Sequence, residues 1–374
     1  MPPTTLPTEL EPSLRLPQQA PPSSGISRPL HVALLLALFC GGLFGTASVI
    51  DRLLPFPPVP TVKGKLDWFS RHGDEYDTLF IGSSRTFCHI IPQIFDRCMA
   101  QAGMPTHSFN LGINGMRSPE DTYLLEKALA GRKAPLKLVV VEANALRIEA
   151  DANSLGTLRG VYWHDFQRFT HICRGILEEH AGKHGAFTPK AILATLGALR
   201  YNLDTTVNKS LNVGRGLEWL EARLVKQEPT PLQDIGKYND GYVMYDTPVS
   251  KISEGEWSLL QAKLQKVLQK PTLPDYATRA SQYELQAKRR LIESFGGQMI
   301  TFAPPVAAKN VFLPDPSVHP ALANLNFADP LLYPELFEKQ NRFDSGHINQ
   351  QGAEIFTRLL AGRIAPLRKN PSQR

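Results

Sequence analysis

Asp77-Thr-Leu-Phe-Ile-Gly-Ser-Ser-Arg85 combines a short apolar run with a turn of small residues. The run Thr78–Ile81 is typical of a buried strand, and Gly82-Ser83-Ser84 predicts a tight turn at its carboxyl end. The hydroxyl of Ser84 is then expected at the rim of a sheet. Because a serine needs a base to act as a nucleophile, this stretch predicts a partner elsewhere in the chain.

The predicted partners of Ser84 stand near the C-terminus, in the stretch Phe343-Asp-Ser-Gly-His-Ile-Asn-Gln-Gln-Gly352. Asp344 and His347 are three positions apart, so the imidazole can face the serine while the carboxylate holds the other ring nitrogen. A helix is predicted directly after them, from residue 349 to about 365. The alternative is that Asp344 only caps this helix and that His347 is solvated, although a capping and a catalytic role are compatible.

Further apolar runs predict an α/β fold with a parallel sheet covered by helices on both faces. Runs at 108–111, 136–142 and 298–305 resemble Thr78–Ile81, and helical patterns separate several of them. Ligands of such sheets bind outside the carboxyl ends of the strands. The pattern therefore predicts a site at the edge where Ser84 lies.

An acyl-transfer serine also needs hydrogen-bond donors for the oxyanion of its tetrahedral intermediate. The backbone N–H of Ser84 is one candidate donor. Gly115, in the loop after the second run, is another, because a residue without a Cβ lets a substrate approach closely. Asn144, after the third run, offers a side-chain amide. The alternative roles are a turn glycine and an amide that caps a loop.

The chain begins with segments that are predicted to lie outside the folded domain. Residues 1–29 are rich in Pro, Ser and Thr and are predicted as a disordered tail. Residues 30–50 are an apolar run without Asp, Glu, Lys or Arg that approaches the length of a bilayer-spanning helix. The long tail before it favours an uncleaved transmembrane anchor over a cleaved signal peptide or a buried soluble helix. A Pro-rich linker at 51–64 then leads to a folded domain at 65–370.

Residues 147–297 interrupt the alternation of strands and helices. They contain several amphipathic helical patterns and an aromatic-rich stretch at 237–246. We predict a helical insertion of the α/β domain that caps the site, not a second independent domain.

Composition argues against two classes of function. The net charge of +6 and the pI of about 9.1 are mild for 374 residues, and the basic side chains are scattered, which argues against nucleic-acid binding. The four cysteines form no CxxC pair and no Cys/His cluster with zinc spacing, so no metal site is predicted. Cys88 and Cys98 are compatible with a disulfide outside the cytoplasm and equally with two separate core side chains.

Four blocks of sequence resemble the SGNH/GDSL hydrolase family: Gly82-Ser83-Ser84, Asn110-Leu-Gly-Ile-Asn-Gly115, Glu142-Ala-Asn144 and Asp344-Ser-Gly-His-Ile-Asn-Gln-Gln-Gly352. The resemblance covers residues 77–145 and about 298–367. It implies a flavodoxin-like three-layer α/β/α sandwich with a parallel sheet. It also implies a catalytic triad of Ser84, His347 and Asp344, and an oxyanion hole of Ser84, Gly115 and Asn144. Such chemistry needs no metal ion or organic cofactor.

Two departures from the family pattern narrow the comparison. Ser83 takes the position of the family's acidic residue, which resembles the membrane-anchored branch that acts on cell-envelope polymers, such as the proteins of D-alanine transfer to teichoic acid. The third block lacks its Gly-x-Asn-Asp form, with Ala143 before Asn144.

Basic residues flank both ends of the apolar run, so they do not set its orientation in the membrane. An N-terminal tail before a single anchor usually stays on the cytoplasmic side, so the tail and the resemblance favour a C-terminal domain on the periplasmic or extracellular side.

These features predict a membrane-anchored serine esterase or O-acyltransferase that acts on acyl esters of a cell-envelope polysaccharide through an acyl-enzyme on Ser84. The expected partners are the membrane, an acylated glycan or other envelope polymer, and a membrane-bound acyl-transfer partner. Weaker candidates for substrate binding are Arg85, Asn110 and Tyr242, with Tyr238 and Tyr245 as further aromatic side chains of the insertion that could line a saccharide site or simply pack. The alternative function is a non-catalytic anchored scaffold in an envelope-modifying complex.

Overall fold

The computed structural model describes residues 28–53, 56–147, 157–183, 188–212, 215, 224, 232–244, 252–269, 273–276, 278–308 and 310–369. Nearly all of the predicted tail at 1–29, together with Tyr245, lies outside these described residues.

A parallel five-stranded sheet forms the centre of the domain. The described strands, numbered in chain order, are β1 (Thr78–Ile81), β2 (Ser108–Asn110), β3 (Leu138–Glu142), β4 (Leu273–Asp275), β5 (Gln298–Ala303), β6 (Asn310–Phe312) and β7 (Ala323–Asn326). The main sheet has the order β2-β1-β3-β5-β7, and β4 and β6 form a separate parallel pair. Counted alone, the five strands of the main sheet follow the 2-1-3-4-5 order of flavodoxin-like folds. The predicted α/β class and parallel sheet are confirmed.

The register of the central strands brings their carboxyl ends to one edge. Phe80 on β1 pairs with Asn110 on β2 and with Val140 on β3. All residues of these three strands are buried, as expected for strands covered on both faces. The loops that follow β1, β2 and β3 therefore leave the sheet side by side.

The fifth strand of the sheet, β7, is not predicted by the sequence pattern. Its residues, Ala323 to Asn326, include two asparagines and are only half-buried. The strand is stabilised by pairing with β5 and by a hydrogen bond from the hydroxyl of Thr301 to Oδ1 of Asn324 at 2.9 Å. The edge position explains the weak signal, because an edge strand is not enclosed on all sides.

Helices cover both faces of the sheet. The described α-helices, in chain order, are α1 (Arg28–Leu53), α2 (Val62–His72), α3 (Ser84–His89), α4 (Pro92–Gln101), α5 (Glu120–Leu129), α6 (Leu158–Val161), α7 (Phe166–Lys183), α8 (Pro189–Leu211), α9 (Leu232–Ile235), α10 (Glu254–Gln269), α11 (Arg279–Ser294) and α12 (Gln350–Lys369). Short 3-10 helices lie at Gly73–Glu75, Pro334–Phe337 and Lys339–Asn341. Helices α2, α5, α7 and α11 pack on the face that carries Leu79 and Val139, whereas α4 and α12 pack on the face that carries Phe80 and Val140.

The insertion predicted at 147–297 is too long, because parts of this range belong to the sandwich itself. Leu285 and Ile292 of α11 are buried in the same core as Val139 of the sheet. The loop around Asp240, earlier in the same range, packs against the end of β2. The carbonyl of Asp240 accepts a hydrogen bond from the backbone N–H of Asn110 at 2.7 Å.

Helix α1 contains the apolar run predicted as an anchor. It has 26 residues, so its length is about 39 Å, and Ala47 is its buried residue. Of the helices that the structure describes, it is the one long and apolar enough to cross a membrane, by length and composition. The linker is shorter than the predicted 51–64, since α1 continues to Leu53 and α2 begins at Val62.

Cys88 and Cys98 are two separate thiols, one buried and the other half-buried. The structure therefore agrees with the second of the two alternatives left open by the sequence.

Candidate active site

The turn after β1 places Ser84 at the carboxyl edge of the sheet. Ser83 is the N-cap of α3, and its hydroxyl accepts a hydrogen bond from the N–H of Arg85 at 3.3 Å. Only glycine fits at position 82, because a Cβ there would lie 2.2 Å from Oγ1 of Thr86. Ser84 opens α3 and is only half-buried, so that its hydroxyl lies at the surface of the sandwich.

Ser84, His347 and Asp344 form a continuous chain of hydrogen bonds. Oγ of Ser84 lies 2.8 Å from Nε2 of His347, although the two residues are 263 positions apart. Nδ1 of His347 lies 2.9 Å from Oδ2 and 3.0 Å from Oδ1 of Asp344. Because an ionised carboxylate only accepts hydrogen bonds, Nδ1 carries the ring proton and Nε2 is left to accept the hydroxyl of Ser84. This is the tautomer that a general base requires.

The carboxylate of Asp344 is held in its ionised form. Partial burial raises its pKa, but the hydrogen bond from the ring of His347 and those from the N–H groups of Gly346 and His347 outweigh this effect. Those two N–H groups donate to Oδ1 at 2.6 and 2.7 Å. The pKa of Asp344 therefore lies below its ordinary value, and the residue is both a turn cap and the orienter of the imidazole.

A buried arginine supports the loop that carries Asp344 and His347. Arg342 has no exposed surface, and its guanidinium donates to the carbonyls of Ser345 at 2.9 Å and of Pro305 at 3.2 Å. Burial lowers its pKa to about 10, so it remains charged at neutral pH. Arg342 thus ties the loop to the end of β5, a role that the sequence does not indicate.

A second histidine, His89, packs against the ring of His347 on its buried side. His89 is fully buried, with its ring 5.7 Å from the ring of His347, and its Nε2 accepts the backbone N–H of Ile348 at 3.2 Å. Burial, reinforced by the positive charges of Arg342 and Arg85, lowers its pKa well below the ordinary value. His89 is therefore neutral at physiological pH and supports the backbone directly after the candidate base.

The buried state of His89 predicts a loss of stability in acid. Below a pH of about 6.5 the unfolded chain binds a proton on this histidine while the folded chain does not, so the free energy of unfolding decreases as the pH falls. One such proton corresponds to a slope of about 1.36 kcal/mol per pH unit. We expect His89→Gln, which keeps an acceptor for Ile348, to show a shallower slope between pH 7 and pH 5 in urea unfolding of the detergent-solubilised chain. An unchanged slope would show that His89 does not carry this dependence.

Glu142 is a site residue whose role the sequence does not reveal. Its fully buried carboxylate accepts the N–H of Ser83 at 2.7 Å, the hydroxyl of Ser83 at 2.8 Å and the hydroxyl of Thr86 at 2.9 Å. The guanidinium of Arg85 lies 4.0 Å away. The last residue of β3 therefore holds both sides of the turn that presents Ser84. The signal in the sequence is a charged residue at the end of an otherwise apolar strand.

The three candidate oxyanion donors follow adjacent strands. Within the described residues, the backbone N–H groups of Ser84 and Gly115 donate to no protein acceptor, so both are available to a ligand. Gly115 is exposed and has a φ of 70°, a conformation that favours glycine. The amide of Asn144 makes a long contact of 3.4 Å with the carbonyl of Glu142. Their meeting at a single reacting oxygen stays a prediction.

Asn110 has a structural role, and its burial argues against the predicted contact with a substrate. The side chain has no exposed surface. Its amide nitrogen donates to the carbonyls of Thr86 at 2.7 Å and Ile90 at 2.9 Å, and its amide oxygen accepts the N–H of Gly112 at 2.9 Å. Asn110 thus joins the end of β2 to α3, the helix that begins at Ser84.

The remaining candidates for substrate binding differ in exposure. Tyr242 is 9% exposed and packs in the apolar core, where burial raises the pKa of its hydroxyl, so it packs instead of lining an open site. Tyr238 is exposed. Arg85 is partly exposed beside Ser84, and its Nε lies 3.4 Å from the carbonyl of Gly346. Of these three, Arg85 is the one that lies next to the triad.

A buried lysine fixes the loop that leads to Gly115. Nζ of Lys65 donates to the carbonyls of Asn110, Gly112 and Gly241, each at 2.7 Å, and has no exposed surface. Burial lowers its pKa well below the ordinary value. This side chain joins α2, the end of β2 and the loop around Gly241.

Replacing Lys65 with methionine is expected to destabilise the fold. The substitution preserves volume but leaves three buried carbonyls without their donor, which costs about 3 kcal/mol or more. Lys63→Met is the matched control, because Lys63 is partly exposed on the same helix and is expected to change stability by less than about 1 kcal/mol. Urea unfolding of both variants tests this difference, and equal stabilities would contradict the role assigned to Lys65.

In the part of the chain that the structure describes, no group of three His, Cys, Asp or Glu side chains could hold a metal ion. No family model, curated protein or solved structure matches the chain.

Proposed function

We propose that this protein is a membrane-anchored serine esterase or O-acyltransferase of the SGNH type, acting on acyl esters of a cell-envelope polymer. The observation that carries the proposal is the chain of hydrogen bonds from Ser84 through His347 to Asp344, with distances of 2.8 and 2.9 Å. The chemistry is nucleophilic acyl transfer, in which a serine alternates between a free and an acylated state.

The reaction follows from the roles of the three side chains. Oγ of Ser84 attacks the ester carbonyl carbon while Nε2 of His347 takes its proton, and Asp344 stabilises the resulting imidazolium. The N–H of Ser84, the N–H of Gly115 and the amide of Asn144 stabilise the oxyanion. His347 then protonates the leaving alkoxide, which departs and leaves an acyl-enzyme.

The second half of the reaction decides between an esterase and an acyltransferase. His347 removes a proton from water or from a glycan hydroxyl, and the resulting oxygen attacks the acyl-enzyme. The bond between the acyl carbon and Oγ of Ser84 then breaks, and Oγ takes the proton back from His347. Water as the acceptor gives a free acid, whereas a hydroxyl acceptor gives a new ester. Arg85, partly exposed beside Ser84, is a candidate contact for an anionic or polar part of the substrate.

The anchor and the substrate class belong to the same proposal. Helix α1 holds the domain at a membrane, with the domain on the periplasmic or extracellular side, where envelope polymers lie. A membrane-bound partner would supply the acyl group if the reaction is a transfer. A topology reporter fused after Arg374 tests the sidedness, and a cytoplasmic result would end the envelope-polymer proposal while leaving the hydrolase chemistry intact.

Labelling with a fluorophosphonate probe tests the nucleophile. We expect the full-length chain to be labelled, and we expect Ser84→Ala and His347→Ala to abolish the labelling. Ser345→Ala is the matched control, because this serine stands in the same loop as His347 but its hydrogen bond to Arg342 uses the backbone carbonyl. Absence of labelling in a folded wild-type sample would favour the non-catalytic scaffold.

A further inference from the structure

Helix α8 carries an apolar face that the protein leaves uncovered. Five large apolar side chains on it are 39 to 70% exposed: Ile192, Leu193, Leu196, Leu203 and Val207. Four of these, at positions 192, 196, 203 and 207, recur at the spacing that places them on one stripe of a helix. A water-exposed helix face is normally polar, so this stripe indicates a non-aqueous neighbour.

The most buried residues of α8 are polar, which is unusual for a helix of a soluble protein. They are Asn202, Thr205 and Thr206. Each donates to the carbonyl four residues earlier at 2.8 Å, so these side chains satisfy their own hydrogen bonds inside the protein. The partly buried Ala198 and Leu199 pack against the core on the same side of the helix. The helix therefore packs a mixed, largely polar side on the domain and presents large apolar side chains outward.

The C-terminal end of α8 is fixed to the end of α1. Nδ2 of Asn212 donates to the carbonyl of Ala47 at 2.6 Å, and Nζ of Lys209 pairs with Asp51 at 3.0 Å. Arg215 pairs with the same carboxylate at 3.0 Å. Asp51 is the first charged residue after the apolar run of α1, so the C-terminal end of α8 lies at the level where the membrane surface would lie.

We propose that the exposed stripe of α8 lies in the interface of the lipid bilayer that α1 spans. The helix is suited to lying on the membrane, because it is 23 residues long and carries charged residues at Lys190, Arg200 and Asp204. Among the described helices, α1 is the one long and apolar enough to span a bilayer, so α8 is not proposed as a second spanning segment. Lys209 of α8 is paired with Asp51, and the other two cations of the helix, Lys190 and Arg200, suit anionic headgroups.

The consequence is a second attachment of the domain to the membrane. A single spanning helix followed by a short linker leaves a domain able to rotate, whereas contact along about 34 Å of α8 restricts its tilt. The opening of the site around Ser84 then keeps one orientation relative to the lipid. The proposal rests on α1 being a membrane anchor, which belongs to the proposed function.

Photo-cross-linking of the full-length chain tests this contact. The chain is placed in vesicles of phosphatidylcholine and phosphatidylglycerol, with p-benzoylphenylalanine in place of Leu196, and adducts are identified by mass spectrometry. Leu36, in the middle of α1, is the positive control, and Leu259, an exposed leucine of α10, is the matched negative control. We expect lipid adducts from positions 196 and 36 but not from position 259.

Each result supports or overturns the proposal. Lipid adducts at 36 with none at 196 would overturn the contact of α8 and leave the anchor intact. Adducts between two copies of the chain at 196 would identify an interface between copies instead. Absence of lipid adducts at both positions would overturn the anchor, and the contact with it.

A second variant checks that the stripe itself provides the contact. With the photoreactive residue in place of Leu193, the double substitution Leu196→Glu and Leu203→Glu is expected to reduce lipid adducts by about tenfold or more, since burial of two leucines in the interface is lost. Both leucines are about half exposed or more, so the fold is expected to remain intact. An undiminished yield would overturn the proposal.

Discussion

Replacing Asp344 with asparagine is expected to lower the rate of fluorophosphonate labelling of Ser84 by about four orders of magnitude, an effect of the size seen when a triad acid is replaced by its amide. The reason is the tautomer of His347. The carboxylate now accepts from Nδ1 at 2.9 Å, which leaves Nε2 as the acceptor for the hydroxyl of Ser84. An amide nitrogen in the same place would donate to Nδ1 and move the ring proton to Nε2, so the base could no longer accept.

The matched control for this variant is Asp315→Asn. Asp315 is a turn carboxylate whose pKa is also lowered, chiefly by hydrogen bonds from Ser317, but it has no contact with the triad. We expect Asp315→Asn to leave the second-order labelling rate constant within about twofold of the wild type. A rate for Asp344→Asn within tenfold of the wild type would show that Asp344 does not orient His347, whatever the distance between them.

The sequence predicts the triad because its members lie in local patterns. Ser84 follows a buried apolar run and a turn that only glycine fits, and Asp344 and His347 share one turn. These patterns are readable without knowledge of the rest of the chain. The main strands β1, β3 and β5 are predicted for the same reason, whereas the half-buried β7 is not.

The buried charged residues around the site could not be predicted, because their partners are distant in the sequence. Lys65 donates to Gly241, 176 positions away, and Glu142 accepts from Ser83, 59 positions away. A lysine on an amphipathic helix and a glutamate at a strand end are usually solvated. Asn110 shows the opposite case, because an asparagine at the end of a strand can bind a substrate or the backbone equally well, and only the fold decides.

Replacing Glu142 with leucine is expected to lower the labelling rate constant of Ser84 by about a hundredfold. The substitution leaves the N–H and hydroxyl of Ser83 and the hydroxyl of Thr86 without an acceptor in a buried place, which costs about 3 kcal/mol or more of stability. The turn is then free to move, and a displacement of about 1 Å at a reacting group costs about a hundredfold in rate.

The variant Glu120→Gln separates a general loss of stability from a specific displacement of Ser84. Glu120 is another buried carboxylate, paired with Arg159 and with the hydroxyl of Tyr162 at 2.8 Å, but it does not contact the turn. Glu120→Gln is expected to lower the free energy of unfolding and to leave the labelling rate constant of the folded protein within about twofold. If both variants lose rate in proportion to stability, Glu142 has no specific role in positioning Ser84.

Glu142→Gln gives the finer test of the same contact. The glutamine oxygen can still accept from Ser83, but its amide nitrogen cannot accept, so at least one of the three donors loses its partner. We therefore expect an intermediate rate, about tenfold below the wild type, and a coupling energy of about 1 kcal/mol or more between Glu142→Gln and Ser83→Ala in a double-mutant cycle. Additive effects of the two substitutions would show that the carboxylate and the N-cap hydroxyl act independently. A measurable coupling would mean that Ser83 and Glu142 act as one unit in holding Ser84.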